Sequence, residues 1–207
     1  MTPTAGLATV TAAQREERLL VERCRRGDFD CFERLVGRYE KKIYNLALRM
    51  LRDPDDAREI LQETFLKVYD NLEKFRGEAH LSTWIYRIAM NEALMRIRKD
   101  KHRPRSIDSF SGTDDEPREL EVQDWSPRPL DRLLTKELGG ELEHAVARLP
   151  EDYRAAFLLR DMEGLSNEEI ARVLKLSVPA VKSRFHRERV FLRNELSKFF
   201  AKGRHVH

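Results

Sequence analysis

Apolar side chains recur along most of this chain at spacings of three and four residues, the repeat of amphipathic α-helices. After Asp28, a suitable helix cap, one such run extends to Leu51. Asp53 and Pro54 then suit the cap and first position of a further helix, which runs toward Phe75. These patterns predict an all-α fold.

Residues 81–105 join an amphipathic helix to a basic tail that includes Arg96 and Arg98, and Ser82 suits its N-cap. One face of this helix is apolar and is predicted to be core: Ile85, Tyr86, Ala89, Met90, Ala93, Leu94 and Ile97. A second stripe carries Trp84, Arg87, Asn91, Met95 and Arg98. An aromatic ring stacks on bases, an amide reads a base edge and cations hold phosphates. For Trp84 alone, closing the core is an equally good explanation; the whole stripe with its tail favours nucleic acid.

Proline, serine and acidic residues interrupt the helical pattern at 104–130. This composition predicts a flexible acidic linker between two small helical domains, residues 14–103 and 131–207, after a disordered segment 1–13. Within the second domain, Gly139-Gly140 is a predicted weak point of the first helix.

The second domain contains the order of a helix-turn-helix. Ser166 and Glu169 form a capping box, Lys175 lies in a tight turn, and Ser177 caps a long basic helix. Five polar side chains lie near the start of that helix on its outward side: Lys182, Ser183, Arg184, His186 and Arg187. Recognition helices use such donors for base edges in the major groove, although helix-turn-helix units also mediate protein contacts.

Composition limits the remaining possibilities. The N-terminus lacks the order of a secretory signal and no apolar run is long enough to cross a bilayer, so we expect a cytoplasmic protein without membrane insertion. Cys24 and Cys31 have no nearby histidine pair, so neither a zinc site nor a disulfide framework is indicated. Glu59 and Glu63 lie on a mixed-charge helix face without further ligands, which predicts no metal, cofactor or catalytic site.

Three motifs in order make the chain resemble bacterial sigma factors of the extracytoplasmic-function group, over roughly residues 15–200. They are DPDDAREILQETFLKVY, FRGEAHLSTWIYRIAMNEALMRIRK and LPEDYRAAFLLRDMEGLSNEEIARVLKLSVPAVKSRFHRER. The resemblance implies a subunit that directs core RNA polymerase to promoters of a stress or envelope response and is not an enzyme. It also implies an anti-sigma partner.

The resemblance further assigns roles to residues. Glu59, Gln62 and Glu63 would dock on polymerase. The 76–80 loop and the α-helix after it would recognise and melt the downstream promoter element, and a flipped base of the non-template strand would lie against the loop. The residues that would contact this element are Arg76, Trp84, Arg87, Asn91 and Arg98. Lys182, Ser183, Arg184, His186 and Arg187 would read the upstream element as duplex.

Two departures from the family pattern affect these expectations. Housekeeping relatives carry paired aromatics where this chain has Arg87 and Ile88, which implies weaker melting and stricter promoter choice. Lys175 stands where many helix-turn-helix units have glycine. Two rival functions remain: a stand-alone dimeric helix-turn-helix regulator, and a magnesium-dependent nuclease using Glu59 and Glu63.

Overall fold

A computed structural model describes residues 12–77, 79–102 and 131–203, all of whose regular elements are helical. The predicted linker 104–130 and most of the predicted N-terminal segment lie outside these residues, but residues 12 and 13 already belong to the first helix. The helices are α1 (Ala12–Arg25), α2 (Phe29–Leu51), α3 (Pro54–Asn71), α4 (Leu81–His102), α5 (Asp131–Arg148), α6 (Glu151–Phe157), α7 (Asn167–Leu174) and α8 (Val178–Gly203).

The predicted caps begin α2 and α3. The Asp28 carboxylate accepts a hydrogen bond from the Cys31 N–H at 3.0 Å. Asp53 accepts from the N–H groups of Asp55 and Asp56, and Pro54 follows it as the first helical residue. These carboxylates satisfy N–H groups that have no partner within the helix.

The beginning of α4 differs from the prediction. The helix starts at Leu81 and not after Ser82. The Leu81 N–H is 3.4 Å from Glu17 Oε2, a carboxylate that α1 supplies. A side chain from a different helix therefore takes the role predicted for the Ser82 hydroxyl, and local sequence does not reveal such a partner.

Helices α2, α3 and α4 pack together around a common apolar core, with α1 against α2. Leu35 and Ile43 from α2, Val68 from α3 and Ile85 from α4 are fully buried. On α4, five of the residues predicted to be core are buried, Ile85, Tyr86, Ala89, Met90 and Ala93, while Leu94 and Ile97 are half-buried. The period of apolar residues thus identified the core face of α4 correctly.

The second domain packs α5, α6 and α7 against α8. Helix α5 continues through Gly139-Gly140, so the predicted weak point does not interrupt it. After α6, Leu158–Met162 form a π-helical turn that ends in Gly164 with φ +68. The capping box of Ser166 and Glu169 starts α7 as predicted.

The turn between α7 and α8 has helix-turn-helix geometry. Lys175 ends α7 in the left-handed conformation, with φ 55 and ψ 48. The Ala180 N–H then donates to the Ser177 hydroxyl at 3.3 Å, which caps α8. Val181 and Phe185 of α8 are buried, as predicted for its inner face.

The two domains touch through α4 and α7. The Thr83 hydroxyl is 3.1 Å from Glu169 Oε1, and the Tyr86 hydroxyl donates to the Glu163 carboxylate. Burial is the main reason that the pKa of Glu163 is raised. This partly buried hydrogen bond between the domains stabilises a closed arrangement in this structure. No helix in the described part of the chain is long and apolar enough to span a membrane.

Candidate nucleic-acid interface and docking surfaces

The predicted stripe on α4 borders an open cleft between the domains. Trp84 is half-buried and packs on Phe75, with 5.2 Å between ring centroids. Arg87 is exposed and Asn91 is half-buried. These side chains line a cleft of about 520 Å³ that Lys175, from the helix-turn-helix turn, also lines. Trp84 thus both closes the core and faces the cleft, so the two interpretations of this residue are compatible.

The loop before α4 borders a second cleft, of about 270 Å³. Arg76, Gly77, Trp84 and Arg87 line it together with Arg172 from α7. Gly77 has φ +71, a conformation that glycine adopts without strain. The two clefts share Trp84 and Arg87, so the stripe and the loop form one surface that combines cations with an aromatic ring. Arg98 is exposed two turns beyond Asn91, further along α4.

Helix α1 supports this loop, which the sequence did not predict. Arg25 donates from Nε to the Leu72 carbonyl at 3.1 Å and from Nη2 to the Phe75 carbonyl. Glu17 contacts the start of α4 at Leu81. The backbone on both sides of the loop is thereby held by side chains of α1. The charged residues in the sequence of α1 do not by themselves indicate these partners.

The face predicted to dock on polymerase lies on α3. Glu59 and Gln62 are exposed and Glu63 is half-exposed, so the structure brings the three together on one accessible surface. The Arg96 guanidinium is 2.8 Å from Glu59 and also pairs with Asp56. Arg96, which was predicted to belong to the basic tail, is therefore paired with carboxylates of α3 in this structure.

The outward side of α8 presents most of the predicted recognition residues. Lys182, Ser183, His186 and Arg187 are exposed. Arg187 also donates to the Tyr153 hydroxyl at 3.3 Å. These four side chains share the accessible face at the start of the helix, where base-reading residues of recognition helices lie.

Arg184 has a different environment from its neighbours on α8. It is half-buried, and its Nη1 donates to the Asp152 carbonyl at 3.0 Å. Its Nη2 is 3.5 Å from the Asp152 carboxylate. In this structure Arg184 therefore holds α8 against α6.

Glu188 is an acidic residue buried inside the helix-turn-helix domain, where sequence reasoning predicted none. It is 1% exposed, and Oε2 has no hydrogen-bonding partner among the described residues. Its other oxygen lies 3.9 Å from Arg160, whose guanidinium stacks 3.8 Å from the Phe185 ring centroid. Burial raises the pKa of Glu188 to about 7, with Arg160 opposing the shift. The described residues contain no group of side chains that could hold a metal ion.

Known protein families and individual proteins match this chain in both of its helical domains. The family model for Sigma-70 region 2 matches residues 35–103, and that for Sigma-70 region 4 matches residues 139–192. The chain is 36% identical to the RNA polymerase sigma-H factor of Pseudomonas aeruginosa, covering 85% of this chain and 91% of that protein. It is 34% identical to the ECF RNA polymerase sigma factor SigW of Bacillus subtilis, covering 85% and 94%.

Solved structures share the fold. CnrH, in complex with the cytosolic domain of CnrY, matches with a TM-score of 0.62 and 23% identity over 88% of this chain and 97% of that one. RpoE of Bartonella quintana, in complex with the anti-sigma factor NepR, matches with a TM-score of 0.58 and 21% identity over 80% and 96%. With its relatives matched over nearly their whole length and both sigma regions present in order, this chain belongs to the extracytoplasmic-function family of RNA polymerase sigma factors.

Proposed function

We propose that this sigma factor acts through three separate surfaces, on α3, α4 and α8, in the cytoplasm. The observation that carries the proposal is the surface on α4, where Trp84, Arg87 and Asn91 border clefts large enough for a nucleotide base. The proposed first domain is residues 14–103, which α1 extends back to Ala12, and the proposed second domain is residues 131–207.

The α3 surface docks on core RNA polymerase. Glu59, Gln62 and Glu63 supply polar and acidic groups, and Arg96 fixes the Glu59 carboxylate in place. The exposed face of α3 also carries Leu66, which is 57% exposed. An accessible apolar group beside charged ones suits a protein partner, because burial of the apolar group favours association and the charges set orientation.

The α4 surface holds the melted non-template strand of the downstream element. A flipped base loses stacking worth a few kcal/mol, which an aromatic surface and hydrogen bonds in a cleft offset. Trp84 offers the ring, Asn91 the amide, and the cations Arg76, Arg87 and Arg98 attract the phosphates. Since Arg87 stands where an aromatic would assist melting, we infer strict promoter choice.

The α8 surface reads the upstream element as duplex through Lys182, Ser183, His186 and Arg187. Arg184 joins them only when its contact with Asp152 breaks, or else acts by keeping α8 in place. Because the stripe on α4 faces a cleft that Lys175 also lines, we infer that the domains separate when the protein binds polymerase and the DNA strand enters.

An anti-sigma factor is the expected inhibitor, and a stress or envelope response is the expected regulon. Two structural neighbours of this chain are sigma factors with such a partner bound, CnrH with the cytosolic domain of CnrY and RpoE with NepR. Two relatives are sigma-E factors of enteric bacteria.

Run-off transcription with purified core polymerase on a promoter library tests the proposal. The variant with Glu59, Gln62 and Glu63 all changed to alanine should lose the specific transcripts that the wild type produces. A matched control changes Glu33 and Glu40 to alanine, since both are exposed carboxylates on α2, and should keep them. The α3 assignment is refuted if both variants transcribe equally.

The same assay separates a sigma factor from a stand-alone regulator. Absence of specific transcripts from the wild type, together with tight binding to duplex DNA without polymerase, would favour the regulator. Metal-dependent cleavage of the template would favour the nuclease.

A further inference from the structure

The two cysteines of the chain lie against each other in the core of the first domain. Cys24, near the end of α1, and Cys31, in the first turn of α2, are both free and buried. Their Sγ atoms are 2.8 Å apart. The Cys31 thiol also lies 3.0 Å from the Leu20 carbonyl. We propose that Cys24 and Cys31 are a redox-active dithiol that a peroxide converts into an intramolecular disulfide.

The turn between the two helices fixes the thiols in this position. The Gly27 N–H donates to the Cys24 carbonyl at 3.1 Å, and Gly27 has φ +80, which reverses the chain direction after α1. Asp28 accepts from the Cys31 N–H at 3.0 Å and pairs with Arg23 at 2.8 Å. Asp28 thus contacts both Arg23, the residue before Cys24, and the backbone of Cys31. These contacts keep the two sulfur atoms facing each other in the folded state.

Bond formation requires only a small approach of the sulfur atoms. A disulfide joins sulfurs about 2.05 Å apart, so Cys24 and Cys31 must approach by less than about 1 Å. The side chains and the short turn between them can supply that approach without separating α1 from α2. The pair is therefore arranged for an intramolecular bond rather than for a bond between two chains.

The oxidation takes place in two steps. The thiolate of one cysteine attacks an oxygen of hydrogen peroxide, which breaks the O–O bond, gives a sulfenic acid and releases hydroxide that takes up the thiol proton as water. The second thiol then attacks the sulfenic sulfur, forming the S–S bond and releasing a second water. Two thiols are oxidised, one peroxide is reduced, and a dithiol reductant reverses the change.

Burial makes the reaction slow at neutral pH. Burial and, after it, the contact with Cys31 together raise the pKa of Cys24 to about 12. Because the thiolate is the reacting form, oxidation should accelerate as the pH rises above neutrality. The pair should therefore react only slowly with peroxide at neutral pH.

Once formed, the bond ties α1 to α2. Helix α1 holds the segment before α4 through Arg25 and contacts the start of α4 through Glu17. Linking Cys24 to Cys31 limits how far α1 can move away, and it restricts the unfolded chain. We expect the oxidised protein to melt several degrees higher than the reduced protein, with slower amide exchange in the segment 72–81.

Peroxide treatment of the reduced full-length protein tests this proposal. After hours in excess hydrogen peroxide, maleimide labelling in denaturant should find neither thiol, and a protease digest should yield the Cys24 and Cys31 peptides linked within one monomer. Dithiothreitol should restore both thiols and the original melting temperature.

The variants Cys24→Ser and Cys31→Ser are the controls, and circular dichroism checks that each folds. Each variant keeps one thiol and all methionines, so it undergoes the other peroxide reactions of the wild type but cannot form the disulfide. Peroxide should therefore not raise the melting temperature of either variant. The proposal is overturned if the wild-type thiols stay unreacted, if each is oxidised separately to sulfinic acid, or if disulfides form only between chains.

Discussion

The buried carboxylate of Glu188 makes a sharp prediction about how stability depends on pH. Burial raises its pKa from 4.5 to about 7. Below pH 4.5 the Glu188 carboxyl is protonated in both the folded and the unfolded state, so it does not lower the free energy of unfolding. As the pH rises, the unfolded chain releases the proton first, so stability is lost progressively until the folded carboxyl also ionises near pH 7.

The size of this loss follows from the two pKa values. With pKa values of 4.5 in the unfolded state and about 7 in the folded state, proton linkage gives the contribution of Glu188. This group lowers the free energy of unfolding by about 2 kcal/mol between pH 5.5 and pH 8. Glu188→Gln keeps the shape of the side chain but cannot ionise. The free energy of unfolding of the variant, relative to wild type, should therefore rise by about 2 kcal/mol over that pH range.

Urea unfolding followed by circular dichroism at several pH values measures this difference, since other titrating groups cancel between the two proteins. Charges around Glu188 also enter: Arg160 and Arg189 favour ionisation, and Asp161 opposes it. Glu195→Gln is a matched control on the same helix. The pKa of Glu195 is lowered in the folded state, so its contribution to the free energy of unfolding is lost only as the pH falls below 4.5. The difference between Glu195→Gln and the wild type should therefore not rise between pH 5.5 and pH 8. A Glu188→Gln difference that does not vary with pH would refute the reasoning.

Four further substitutions test local features of the second domain. Lys175→Gly should raise the urea midpoint, because a left-handed lysine costs on the order of 1 kcal/mol that glycine avoids. Ser166→Ala should lower the free energy of unfolding by about 1 kcal/mol, since it removes the cap of α7. Arg187→Ala should weaken binding of the polymerase holoenzyme to the upstream element by roughly 1 to 3 kcal/mol without changing stability, as measured by filter binding and thermal melting. Arg184→Ala should instead lower the melting temperature, because it removes the contact with Asp152.

Local sequence rules predicted the helices and most of their ends. Capping depends on residues two or three positions apart, so Asp28, Asp53 and the Ser166 box could be recognised directly. The apolar repeat identified the inner face of α4 for the same reason. Family membership confirms the predicted function, promoter-directed transcription initiation by a subunit that is not an enzyme.

Side chains whose partners lie far along the chain could not be predicted in this way. Arg96 looked like part of a basic tail, yet besides Asp100 on its own helix it pairs with Asp56, forty residues away on α3, and with Glu59. Glu17 caps α4 from a different helix. Glu188 lies on a basic helix, yet it is buried in the second domain, where Arg160 of the π-helical turn lies 3.9 Å from its carboxylate.

The contact between the domains shows most clearly why periodicity is insufficient. Tyr86 belongs to the apolar sector of α4, and its burial was predicted, but the sector is wide enough to cover two different neighbours. Residues such as Ile85 pack inside the first domain, whereas the Tyr86 hydroxyl meets Glu163 of the second. The Tyr86 hydroxyl is the feature of the sequence that indicates this contact. A buried phenol requires a polar partner, and the face that the sector turns to the first domain's core is apolar. A tyrosine in an otherwise aliphatic sector is thus a reason to look for a contact outside the domain that contains it.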